Sequence, residues 1–178
     1  MSLNLEQYAG NEFPVIDGGE YEVVLFISKK RTKDGTKEFA NLDFMVRDDV
    51  EQKFKGAHVF DKAWPDLTSP QWFDLKKLGS ILVTQKERPG YKTTFDEVDE
   101  CIQYLNGINL IITVEKTYDE YYQKEVNGVK YLSYKPSKLG PYVKPVKESG
   151  AAPAPKAEGE GEIVANNVPD ITKADFPF

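Results

Sequence analysis

Two long β-type runs either side of one turn dipeptide constrain this chain more than any other feature in it. Residues 18–31 and 38–49 flank Asp34-Gly35, a pair that tolerates the positive φ of a tight hairpin. The first run alternates, with Tyr21, Val23, Leu25 and Ile27 on one face and Glu22, Val24, Phe26 and Ser28 on the other. The second run sets Ala40, Leu42, Phe44 and Val46 against Phe39, Asn41, Asp43, Met45 and Arg47. Each strand is thus predicted to have a core face and a second, partly apolar face. The tip carries Lys29, Lys30, Arg31, Lys33 and Lys37. A long hairpin with a basic tip and an outward Phe suits a strand-based platform for single-stranded nucleic acid. The same residues suit an ordinary surface hairpin whose lysines protect an edge.

The remaining chain continues in strands, interrupted once. Residues 54–64 read as a third strand, with Gly56 marking a bulge or bend. Residues 65–107 change period. Ser69 and Pro70 read as the cap and first position of a helix whose stripe is Trp72, Leu75, Leu78 and Leu82. Thr94-Phe95-Asp96-Glu97 reads as the capping box of a second helix, closed by Asn106-Gly107. Residues 108–116 are a β-rich fourth strand. A tyrosine-rich connection with Tyr118, Tyr121 and Tyr122 follows, then a turn at Asn127-Gly128 and a fifth strand over 129–134. From about residue 145 the composition turns to Ala, Pro, Gly and Glu, which cannot build a core. The chain ends Asp175-Phe176-Pro177-Phe178, an apolar tip that a merely solubilising tail has no use for.

Charge and composition narrow the function classes. Net charge is −6 over 178 residues, but residues 148–178 hold a net −4 and the rest only −2. The body is near neutral with local basic clusters, and the tail is acidic. The one cysteine, Cys101, cannot form an internal disulfide and implies a reducing compartment. No basic segment followed by an apolar run opens the chain, and no apolar run reaches bilayer length. The expectation is a soluble, cytoplasmic protein without a membrane partner. One His, no glycine-rich phosphate loop, no Cys/His ligand spacing and no nucleophile elbow argue against an enzyme, a metal site or a cofactor, and leave open only a carboxylate-only metal nuclease, for which the plentiful acids show no telling spacing. His58 reads as a structural or edge residue.

Three strands, a helical insert and two further strands is the element order of the OB-fold. The expected fold is therefore mainly β: a five-stranded Greek-key barrel with a helical insert between strands 3 and 4, plus a disordered acidic C-terminal tail. The domain boundaries are 1–144 for the OB-fold body, 145–169 for a disordered linker and 170–178 for a docking tip. OB-fold ligands lie across strands 2 and 3, between the loop joining strands 1 and 2 and the loop joining strands 4 and 5. Here those loops are the basic tip and the tyrosine-rich segment.

Two resemblances bear on this. Asp175-Phe176-Pro177-Phe178 resembles the C-terminal tip of bacterial single-stranded DNA-binding proteins. The body, roughly 8–140, resembles a phage-encoded family catalogued as a domain of unknown function. It does so through residues 19–23, residues 46–54, Ala63-Trp64 and residues 134–137. That resemblance implies an OB-fold single-stranded DNA-binding protein of a phage replication module, working in the bacterial host cytoplasm. Two departures stand out: Lys173-Ala174-Asp175 is less acidic than the bacterial tips, and the connection over 117–128 is longer.

The expected function is to bind and protect single-stranded DNA without strong sequence preference during replication and recombination. The expected DNA contacts are the cations Lys29, Lys30, Arg31, Lys33, Arg47, Lys124 and Lys130, and the rings Phe39, Phe60, Trp64, Tyr118, Tyr121 and Tyr122. Any one lysine is at least as readily a solvated surface charge, and for Phe60 and Trp64 core packing is the favoured expectation. Asp170, Asp175, Phe176, Pro177 and Phe178 are expected to dock replication or recombination proteins, and the protein to form a homo-oligomer, a dimer. Two alternatives remain: an OB-fold protein–protein adaptor, and a single-strand annealing protein or recombination mediator.

Overall fold

A computed structural model describes residues 14–145. The expectations for the linker 145–169, apart from Pro145, and for the tip 170–178 lie outside the described residues. The alternation in the first run produces strand β1 (Gly19–Arg31), and the second run produces β2 (Glu38–Val46). They pair antiparallel from Val23↔Val46 to Arg31↔Glu38. The loop between them is stitched by Asp34, whose carboxylate accepts from the Thr36 N–H at 3.1 Å and the Thr36 hydroxyl at 2.8 Å. Gly35 takes φ +73° there, as the turn dipeptide requires.

Strand β3 (His58–Ala63) pairs with β2 from Met45↔His58 to Ala40↔Ala63. It starts later than expected, because Phe54 and Gly56 both take positive φ and build a turn. Helix α1 (Leu75–Val83) also starts later. Its cap is Asp74, whose Oδ1 accepts from the Lys77 N–H at 3.0 Å, rather than Ser69. Helix α2 (Val98–Leu105) opens at Glu97 without a side-chain cap bond. Its end is sewn to β1: Gly107 N–H donates to Leu25 O at 2.7 Å, and Asn106 Oδ1 accepts from Ile27 N–H at 3.0 Å. The helical connection therefore lies against the second half of β1, where β4 no longer pairs with it.

Strand β4 (Asn109–Asp119) pairs with the first half of β1, from Gly19↔Val114 to Val24↔Asn109. It then runs on past β1 to form a hairpin with β5 (Lys124–Val129). This corrects the expected fifth strand. Asn127-Gly128 is inside β5 and not at a turn, because the Asn127 amide is committed elsewhere. Its Oδ1 accepts from Ile16 N–H at 2.7 Å, and its Nδ2 donates to Ile16 O at 2.8 Å. A two-residue strand β6 (Lys135–Pro136) pairs with β4 at Leu110 and Ile111.

The result is a mainly β fold with two helices. Its antiparallel sheet has the order β3-β2-β1-β4-β5, with β6 added to β4. Among the described residues the hydrogen-bonded path stays open, although β3 and β5 approach within 8 Å between Cα atoms. Val23, Leu25, Leu42 and Phe44 are fully buried on the inner face, with Leu78 and Ile81 from α1 and Leu105 from α2 in the same core. No helix among the described residues is long and apolar enough to cross a membrane.

Candidate nucleic-acid interface

The strand register decides what the outer face of β1, β2 and β3 presents. Phe26 pairs with Asp43, and Asp43 with Phe60. One step along, Ser28 pairs with Asn41, and Asn41 with Lys62; one further, Lys30 pairs with Phe39. Trp64, just beyond β3, continues the outward set and lies with its ring 5.0 Å from that of Phe39. Phe26 and Phe60 are each 38% exposed and Trp64 is 41% exposed. Phe26 and Phe60 flank Asp43 in one cross-strand row and Trp64 follows further along the same face, so three partly exposed large rings share one side of the sheet. Lys62 Nζ stands 5.0 Å over the Phe39 ring and 5.6 Å from that of Trp64, which puts a cation beside the rings.

The expected cations divide. Lys30 and Lys33 make no ion pair among the described residues. Lys29 is tied to Asp99 at 2.6 Å, and that hydrogen bond raises its pKa. Arg31 lies 3.7 Å from Glu38. Lys124 Nζ stands 5.8 Å over Tyr122. Lys130 is exposed just past the end of β5, where its N–H donates to Thr113 O at 2.8 Å.

Arg47 is a correction. Its side chain is 2% exposed and grips Asp49 with both Nε and Nη2. Nη1 donates to Gly140 O at 2.9 Å. These bonds raise the guanidinium's pKa and hold the Asp49 carboxyl at about 2. A phosphate cannot reach this side chain, which instead ties the segment after β6 to the end of β2. Phe39 is the second correction. It is 6% exposed beneath Trp64 and Lys62, so it supports those side chains and offers no face of its own to a base.

The β4–β5 hairpin supplies the tyrosines. Asp119 Oδ1 accepts from the N–H groups of Tyr121 and Tyr122 at 2.9 and 3.1 Å. Gln123 at φ +51° closes the turn. The two rings meet edge to face at 4.9 Å, with Tyr121 86%, Tyr122 63% and Tyr118 62% exposed. An open cleft of about 380 Å³ runs between β3 and β5, lined by His58, Val59 and Phe60 on one side and residues 124–127 on the other. Phe60 and Lys124, 64 positions apart, thus share one cleft.

Two members of this face escaped the sequence reading: Phe26 and Lys62. Both carried a signal, since Phe26 has the parity of Lys30, and Lys62 that of Phe60 and Trp64. Among the described residues no group of His, Cys, Asp and Glu could hold a metal ion. Residues 4–153 match the model of a family described as "Protein of unknown function (DUF669)". Among curated proteins none matches the chain.

Proposed function

We propose that this chain, which belongs to the family of unknown function DUF669, is an OB-fold protein that binds and protects single-stranded DNA. The observation that carries this reading is the outer face of β1, β2 and β3. There Phe26, Phe60 and Trp64 lie partly exposed on the same face as Lys30 and Lys62. Aromatic faces accept any base and lysines track the backbone, which is the chemistry of sequence-tolerant single-strand binding. The strand order β3-β2-β1-β4-β5, with the helices inserted between β3 and β4, supports the OB-fold part. The basic β1–β2 tip and the tyrosine-bearing β4–β5 tip are the two loops that flank an OB-fold ligand face.

The remainder of the reading rests on sequence. The protein acts in a phage replication module in the bacterial cytoplasm, is not an enzyme, and recruits replication or recombination proteins through Asp170, Asp175, Phe176, Pro177 and Phe178. Titration of labelled single- and double-stranded oligonucleotides at several salt concentrations tests the central claim. Tight, salt-sensitive binding to the single strand and weak binding to duplex are expected. Binding to neither would leave the adaptor reading, and strand annealing by the protein would favour the recombination mediator.

A further inference from the structure

Asp43 occupies the middle of the aromatic row. Its Cα pairs with Phe26 on one side and Phe60 on the other, and antiparallel neighbours stand about 5 Å apart. The side chain is 22% exposed. Nδ1 of His58 holds Oδ1 at 2.7 Å and fixes the plane of the carboxylate. Oδ2 has no hydrogen-bond partner among the described residues.

A carboxylate at the centre of a surface for a polyanion is unfavourable if phosphates pass over it. It is favourable if bases do, provided the base edge brings a donor, because an ionised carboxylate only accepts. A base lying on Phe26 or Phe60 carries its edge over Asp43. At the exocyclic position of that edge cytosine offers N4–H₂, a group that Asp and Glu accept from, whereas thymine offers O4 there, an acceptor facing an acceptor, and keeps its one donor, N3–H, within the ring. We propose that Asp43 is a base-selecting residue, accepting at Oδ2 from the exocyclic amine of a stacked base, so that the face prefers cytosine over thymine. This rests on the single-strand reading above and adds a preference that stacking alone does not provide.

The test is fluorescence anisotropy on the full chain with labelled oligo-dC and oligo-dT of equal length at mildly alkaline pH, repeated with Asp43→Asn. The intact protein is expected to bind oligo-dC about tenfold tighter than oligo-dT, the size of effect that one hydrogen bond to a charged acceptor supports. Removing the negative charge in Asp43→Asn strengthens binding to both oligonucleotides, so the readout is their ratio, from which that general effect cancels. The ratio is expected to collapse in the variant. Equal affinities in the intact protein, or a ratio that survives the substitution, overturn base selection and leave the single-strand reading standing. Failure to bind either oligonucleotide overturns both.

Discussion

Arg47 and Asp49, two positions apart, form a two-pronged ion pair, Nε to Oδ1 at 2.8 Å and Nη2 to Oδ2 at 2.7 Å. The planar fork matches the carboxylate, and its remaining donors reach across 93 and 94 positions to Gly140 O and Pro141 O. Asp49 Oδ2 also accepts from Val143 N–H at 3.1 Å. The pair therefore fastens the segment after β6 to the end of β2, far in sequence from either strand of the hairpin.

Replacing Arg47 with Met should destabilise the fold by about 3–5 kcal/mol, since it takes the counter-charge from the Asp49 carboxylate and leaves it only the Val143 N–H. Urea denaturation measures this. Single-strand affinity of the folded variant should stay close to that of the parent, and a matching loss of binding would return Arg47 to the DNA-contact set.

The same pair sets an acid limit. Hydrogen bonds from Arg47 chiefly hold the Asp49 carboxyl at about 2 against its ordinary 3.8. A carboxylate depressed in the fold stabilises fully above its unfolded value and loses that contribution as pH falls through its folded value. The parent should therefore lose stability as pH drops from 3.8 toward 2. Arg47→Met should lose less over that window, and parallel curves for the two would remove the pair from the account.

Phe26→Ala combined with Phe60→Ala should weaken single-strand binding by roughly 1–3 kcal/mol for each base unstacked. Both rings are more than a third exposed, so the melting temperature should move little. A large drop in thermal stability without a change in binding would make them packing residues.

Tyr121→Ala with Tyr122→Ala should cost a similar roughly 1–3 kcal/mol in binding. The turn itself is held by Asp119 and backbone N–H groups, so circular dichroism and melting should match the parent. Unchanged DNA affinity would confine the site to the sheet face.

Lys30, Lys33 and Lys62 should each account for about −0.7 in the slope of log affinity against log salt concentration if each meets a phosphate. Replacing all three with Ala should flatten that slope by about 2. An unchanged slope would mean that the backbone runs elsewhere.

The sequence by itself determined whatever depends on a period of two or on a local turn. The Asp34-Gly35 hairpin, the inward set Val23, Leu25, Leu42 and Phe44, and the Asn106-Gly107 helix end all follow from neighbours a few residues apart. The folded chain decided the positions where a competing partner, near or far in sequence, outbid a local signal. Ser69-Pro70 is a sound helix start, yet Asp66 gathers the N–H groups of Thr68, Ser69 and Leu75 and delays the helix to Asp74. Asn127-Gly128 is a sound turn, yet Ile16 binds the Asn127 amide from 111 positions away and keeps the pair in a strand. Parity placed Phe39 and Arg47 outward, but only the folded chain brings Trp64 and Lys62 over the first and residues 140–141 over the second. Alternation tells which way a side chain points. What comes to cover it depends on contacts between distant parts of the chain, which no local pattern encodes.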